Sequence, residues 1–351
     1  MNSKNSSEKP VGVLGAGNFG SAIASLMAQH RPVLMYARQA AVADEINRTQ
    51  AWRGHPFYGN VQATTHLPGL AHQCDVIFPV VPSQHFREVM RQLSPHLHPY
   101  HILIHGAKGL DIALPPGESL DTAEKISRAH VKTMSEVIRE ETVVVRVGCI
   151  SGPNLSKELS QQQPGATVIA SPFQEVTHTG KKLLRNERFQ VYENDDLIGV
   201  ELAGVLKNII AIAAGALSGL GYGENAKGLL ISRGAVEMIH LGRALGGNIK
   251  AFLGVAGIGD LVATCNSPLS RNYTVGFRLA KGEKLSDILS DMKEVAEGIN
   301  TIKIARKCAS YYKVRALITD NLYRVLFGNL TMEKAAHYLM RYPLNVDIDF
   351  L

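Results

Sequence analysis

Cysteine is sparse in this chain. Its four cysteines, Cys74, Cys149, Cys265 and Cys308, are scattered over 351 residues with no C-x-x-C pair. That spacing argues against a zinc knuckle and a disulfide framework, so reduced thiols in a cytoplasmic protein are expected. Aromatic residues make up 6% of the sequence, with a single tryptophan and no basic-aromatic motif, which argues against nucleic acid as a partner. Charge of one sign does not run together either. A formal net charge of +6 is spread along the chain, and an anionic small molecule accounts for it. The first nine residues are polar and lack the apolar core of a signal peptide, so 1–9 is expected to be a disordered tail. His96, His98, His101 and His105 lack helical His-x-x-x-His spacing and have no nearby cysteine or carboxylate, so no metal is expected.

What is present is a core-forming composition, 45% hydrophobic, over a length that suggests two domains. Short apolar runs alternate with helical patterns in the first half: Val11 to Leu14, Val33 to Tyr36, Val76 to Val80, Ile102 to His105, Val143 to Val147, Ala166 to Ala170 and Phe189 to Tyr192. That rhythm predicts an α/β fold, a Rossmann-like doubly wound parallel sheet over residues 10–195. Glu193 to Asp196 is a polar break. Beyond it strand signals vanish, and helices are predicted over Ile198 to Leu220, Ala226 to Leu245, Ser270 to Ala280, Asn300 to Tyr311 and Asn321 to Phe327, giving an all-α domain at 196–351. A further helix is predicted from Asp121 to Glu141, after the polar stretch opened by Pro115-Pro116-Gly117.

Gly15-Ala16-Gly17-Asn18-Phe19-Gly20 follows the first strand and opens a helix, the setting a dinucleotide fingerprint requires. Gly15 permits the tight turn, Gly17 lets backbone approach a pyrophosphate, and Gly20 lets helix pack on strand. The second strand ends at Arg38 with no carboxylate before Asp44, so NADP is expected to be tolerated alongside NAD. Lys108 follows the fourth of these strands, at the sheet edge where ligands bind. Ser151-Gly152-Pro153-Asn154-Leu155-Ser156 follows the fifth and offers backbone N–H groups and small polar side chains to an oxyanion.

Lys207 is the one charged side chain between Glu201 and Glu224. On a buried helix its pKa falls toward neutrality, which suits a proton donor to a carbonyl; the plainer reading is a lysine that snorkels to the surface. A membrane span is not expected, because Lys207, Asn208 and three glycines would sit at its centre. Asp260 follows a glycine-rich turn, and Ser270-Arg271-Asn272 starts a helix with a hydroxyl, a guanidinium and an amide, a grouping suited to phosphate or to plain capping.

Taken in order, these segments resemble the bacterial-type NAD(P)-dependent glycerol-3-phosphate dehydrogenase family from Val11 to about Leu339. The most specific match runs from Asp196 through Leu206-Lys207-Asn208 to Gly215, followed by Gly219 to Lys227, Ser232-Arg233-Gly234, Gly257 to Leu261, and Thr264-Cys265 leading to Ser267 through Asn272. The resemblance implies reduction of dihydroxyacetone phosphate to sn-glycerol 3-phosphate by a cytoplasmic homodimer that supplies phospholipid synthesis. It implies Lys207 as proton donor and acceptor, with Asp260 tuning it. Lys108, Gly152, Asn154, Asp260, Ser270, Arg271 and Asn272 would surround the phosphorylated substrate. Asn18, Phe19, Arg38, Lys108, Ser156, Arg271, Val295 and Glu297 would contact the cofactor. Three places depart from the family pattern: Gly54 to Asn60 lacks a Leu-Pro-Gly run, Asn154 replaces a common Ser or Thr, and about 20 residues between Ile112 and Lys132 look inserted. Rival readings are a dehydrogenase acting on a 3-hydroxy acid or ketopantoate, and a non-catalytic NAD(P)H sensor.

Overall fold

The computed structural model describes residues 8–123, 125–292 and 296–341. Two compact units emerge. One comprises the chain up to Ala107, Ser135–Ile150 and Asn154–Asp195; the other holds Lys108–Met134, Ser151–Pro153 and the chain from Asp196. The division after Asp195 falls at the polar break, but the second unit also draws in Lys108 and Gly152 from the first half of the sequence.

The first unit is built on eight strands: β1 (Val11–Leu14), β2 (Val33–Tyr36), β3 (Val61–Thr64), β4 (Val76–Pro79), β5 (Ile102–His105), β6 (Arg146–Ser151), β7 (Gly165–Ala170) and β8 (Phe189–Asn194). They lie in the order β8-β7-β6-β5-β4-β1-β2-β3. The pairs β1–β2, β1–β4, β2–β3, β4–β5, β5–β6 and β7–β8 run parallel. Helices cover both faces of such a sheet, which is why β1, β4 and β5 are buried throughout and read as unbroken apolar runs. The order reverses between β1 and β4, and α1 (Asn18–Met27) begins just past β1, at the switch point where ligands of this fold collect. Further helices are α2 (Ala40–Thr49), α3 (Leu67–Gln73), α4 (Ser83–Leu93), α5 (Met134–Glu141), α6 (Ser156–Ser160) and α7 (Gln174–Leu184).

The second unit is helical. It contains α8 (Leu197–Gly219), α9 (Glu224–Ala244), α10 (Ile249–Leu253), α11 (Asp260–Cys265), α12 (Arg271–Ala280), α13 (Leu285–Asp291), α14 (Glu297–Tyr312), α15 (Leu317–Phe327) and α16 (Met332–Met340). Asp196 caps α8, accepting from Gly199 N at 2.9 Å and from Asn248 N at 2.7 Å. Among the described residues α8 is the one helix long and apolar enough to cross a membrane, and 89% of its apolar window is buried inside the protein. It packs against α9, α11, α12 and α14. A β-carbon on Gly215 would meet Tyr273 O at 1.9 Å, and one on Gly276 would meet Ile212 O at 1.8 Å, so glycine sets the spacing of α8 and α12 from both sides.

Three expectations are corrected. The helix predicted from Asp121 to Glu141 starts only at Met134; before it, Val131–Lys132 pairs antiparallel with Asp111–Ile112. That segment keeps only a 3₁₀ turn, Arg128–His130, and is otherwise held by tertiary bonds: Arg128 N donates to Tyr312 Oη at 2.8 Å and Arg128 Nε to Leu245 O at 2.7 Å, while Lys303 reaches Asp121 at 2.7 Å. Glu124, within it, lies outside the described residues. The strand predicted at Val143 to Val147 is β6, shifted to Arg146–Ser151, because Val143 and Val145 are exposed and the buried run begins at Val147. Finally, β3 went unpredicted, being a four-residue edge strand of alternating burial. Of the expected tail, the residues up to Ser7 lie outside the description, and Lys9 already donates to Asp75 at 2.8 Å.

Candidate active site

In the first unit two of the three fingerprint glycines, Gly15 and Gly20, answer to a steric demand. Gly15 has φ +126°, open to glycine alone in practice, and a β-carbon there would touch Val80 O at 3.0 Å. A β-carbon on Gly20 would lie 2.0 Å from Gly15 O. Gly17, the N-cap of α1, faces open space, with nothing within 4 Å of its would-be β-carbon. Backbone N–H groups at a helix start beside such a vacancy form a cradle for a pyrophosphate, so the residues fit a dinucleotide. Asn18 opens α1, and the Phe19 ring lies against Gly106, where a β-carbon would come within 2.5 Å. Arg38 is exposed just past β2. Ser156, first residue of α6, shares with Asn18, Trp52, Arg53 and Lys157 the lining of a cavity of about 200 Å³. Asn154 donates from Nδ2 to Thr167 Oγ1 at 2.9 Å and leaves its buried Oδ1 without a hydrogen-bond partner among the described residues.

The second unit brings four of the expected residues together: Asp260, Lys207, Lys108 and Gly152. Five residues of π-helix, Val255–Gly259, turn the chain into α11 and bring Asp260 inward at its first position. A β-carbon on Gly257 would sit 1.9 Å from Phe252 O, so the turn depends on that glycine. Lys207 Nζ donates to Asp260 Oδ1 at 2.9 Å and to Thr264 Oγ1 at 2.5 Å, and Thr264 Oγ1 donates to Asp260 Oδ1 at 3.1 Å. Lys108 Nζ donates to the other oxygen, Oδ2, at 2.5 Å and to Gly152 O at 3.0 Å. Gly204, one turn before Lys207, makes this possible: a β-carbon there would strike Ser151 Oγ at 2.5 Å, so the 151–153 strand end passes directly over α8.

Burial sets the electrostatics. Lys207 is 6% exposed, and desolvation, with some repulsion from Lys108, brings its pKa down from the usual lysine value to about 8 against the pull of Asp260. Asp260 is 2% exposed, and burial alone would raise its pKa; the two ammoniums outweigh that and hold it below the usual carboxylate range. Lysine snorkelling does not describe Lys207. Its ammonium stays inside, paired and hydrogen-bonded.

At the start of α12, Ser270 caps Tyr273 N, Arg271 is exposed at the first helical position, and buried Asn272 accepts from Gly298 N at 3.0 Å. Glu297, beside Gly298, is the first residue of α14. Val295 lies outside the described residues. Thr264 is the participant that sequence reasoning missed: it stood in a matched segment next to Cys265, but a threonine inside an apolar helix carries no chemical signal until its partner is seen.

A nucleotide cradle on a parallel sheet, joined in one chain to a buried lysine whose proton affinity is tuned by a carboxylate, defines a dinucleotide-dependent oxidoreductase. Sequence relationships narrow that class. The chain belongs to the NAD-dependent glycerol-3-phosphate dehydrogenase family, matching its N-terminal profile over residues 10–177 and its C-terminal profile over 196–337. It is 38% identical to a glycerol-3-phosphate dehydrogenase [NAD(P)+] of Saccharophagus degradans over 98% of this chain and 93% of that one. A Pseudomonas putida enzyme of the same name is 36% identical over 98% and 97% of the two chains. The crystal structure of glycerol-3-phosphate dehydrogenase from Coxiella burnetii superposes with a TM-score of 0.83 at 30% identity, covering 95% of this chain and 99% of that one.

Proposed function

We propose that the chain reduces dihydroxyacetone phosphate to sn-glycerol 3-phosphate with NADH or NADPH, and that Lys207 gives the proton to the carbonyl oxygen. The observation that carries this is the Lys207–Asp260–Lys108 arrangement, in which an ammonium with pKa about 8 is held in place by a buried carboxylate. With its pyrophosphate held at the glycine cradle, a bound dinucleotide would supply hydride chemistry through its reduced nicotinamide. As the carbonyl carbon gains hydride, the oxygen gains negative charge, and Lys207 Nζ–H transfers a proton to it, leaving a neutral amine. Two of the three Lys207 protons point at Asp260 and Thr264, and among the described residues no acceptor takes the third. That proton is the one left for transfer to the carbonyl oxygen. Asp260 fixes the lysine, and Lys108 polarises the carbonyl.

Arg271, with Asn272 and Ser270 at the start of α12, grips the phosphate, where a forked guanidinium and a helix N-terminus act together. Gly152 and Asn154 complete the substrate contacts. Asn18, Phe19, Arg38, Lys108, Ser156, Arg271, Val295 and Glu297 are assigned to the cofactor. A cytoplasmic homodimer supplying phospholipid synthesis is the setting this assignment fits.

A steady-state assay tests the reading. Dihydroxyacetone phosphate should drive loss of reduced-nicotinamide absorbance with each cofactor in turn. Turnover of a 2-keto or 3-keto acid in its place, or cofactor binding with no substrate-dependent oxidation, would overturn it.

A further inference from the structure

Where the chain lacks the family's Leu-Pro-Gly run it builds a small hairpin over the glycine cradle. Ala51–Trp52 and His55–Pro56 pair antiparallel around Arg53 and Gly54, whose φ values are +52° and +80°. Two left-handed central residues make a tight two-residue turn, and its first position ordinarily goes to Asn, Asp or Gly. Arginine there works against the backbone, so its side chain is the part to explain. Trp52 Nε1 donates to Ala16 O at 2.9 Å, pinning the hairpin to the fingerprint itself. Arg53 Nη1 donates to Asn18 Oδ1 at 2.7 Å, and the guanidinium carbon lies 5.9 Å from the Trp52 ring centre. A permanent cation therefore hangs over the first residue of α1, beside Gly17, whose open side receives the pyrophosphate. The adjoining cavity of about 200 Å³, lined also by His55 and Lys157, leaves the guanidinium room to turn.

We propose that Arg53 is a cofactor-binding residue that turns from Asn18 to clamp the dinucleotide pyrophosphate against the start of α1; this rests on the dinucleotide reading above. The position over the fingerprint, and not at the end of β2 where Arg38 stands, selects the pyrophosphate over a 2′-phosphate. NADH and NADPH therefore depend on it equally.

The test is equilibrium binding of NADH and of NADPH to the full chain, followed by nicotinamide fluorescence, with melting temperature recorded beside it. Arg53→Gln should raise both dissociation constants by about tenfold, the fold-change that loss of one charge-assisted bond gives. Arg53→Asn should show the same loss of affinity with an unchanged or higher melting temperature, because asparagine is at ease in the left-handed turn. Unchanged constants in Arg53→Gln would overturn the assignment, as would a loss confined to NADPH. A weakened, less stable Arg53→Gln whose affinity Arg53→Asn restores would make the residue structural and overturn it too. Failure of the unaltered protein to bind either cofactor would instead strike the dinucleotide reading.

Discussion

A buried ammonium is costly, and Lys207 is kept charged by one carboxylate that it shares with Lys108. The sign of its pH dependence follows. On the proposed mechanism reduction consumes the protonated lysine, so kcat/KM for dihydroxyacetone phosphate should fall as pH rises through about 8, whereas oxidation of glycerol 3-phosphate, which would need the neutral amine, should climb through the same window. Initial rates in both directions check this, and two flat profiles there would remove Lys207 from proton transfer. Lys207→Met keeps the apolar stem and lacks the proton. Its kcat should drop by at least about a hundredfold while NADH affinity and folding persist, since Asp260 retains Lys108 and Thr264. Asp260→Asn is the harsher change: it leaves two ammoniums facing each other with no counter-charge. A stability loss of about 3–5 kcal/mol is expected in thermal denaturation, together with a kinetic inflection at lower pH. If Arg271 grips the phosphate as proposed, Arg271→Ala should raise KM for dihydroxyacetone phosphate far more than for unphosphorylated dihydroxyacetone, because only the phosphate would lose a charge-assisted pair.

Helices α8 and α12 meet with almost no side chain between them. Gly276→Ala would drive a methyl into Ile212 O, and the helices must part; overpacking of this kind costs about 1–3 kcal/mol, so the melting temperature should fall by several degrees. Calorimetry reads the stability, and KM for dihydroxyacetone phosphate reads the displacement of the α12 start that carries Arg271 and Asn272. A neutral Gly276→Ala would mean that the two helices tolerate wider spacing. Strong local patterns such as the Val11–Leu14 run with its glycine turn, and the single lysine in the Ile198–Leu220 helix, were legible in the sequence because periodicity and charge are local. The four-residue β3 was not, since an edge strand draws on pairing with β2 and has little signal of its own. Nor was the 111–132 segment, whose path is set by Tyr312, Leu245 and Lys303 from distant parts of the second unit. Thr264 belongs with these: its role lies in two hydrogen bonds to residues 4 and 57 positions away.

For the molecule as a whole, cofactor choice is the property most open to measurement. Arg38 stands exposed past β2, and the sequence has no carboxylate from there to Asp44 to repel a 2′-phosphate, so NADPH should support turnover within about tenfold of NADH. Competition kinetics decide it, and a preference for NADH above about a thousandfold would assign Arg38 to solvent. The four thiols have a different consequence. All are buried, and burial pushes Cys74, Cys265 and Cys308 up to about 12. A thiol so protonated is a poor nucleophile, which holds even for Cys265 beside Lys207. The folded enzyme should therefore pass unmarked through iodoacetamide at neutral pH, and each alkylated cysteine becomes a timestamp of the moment its surroundings opened.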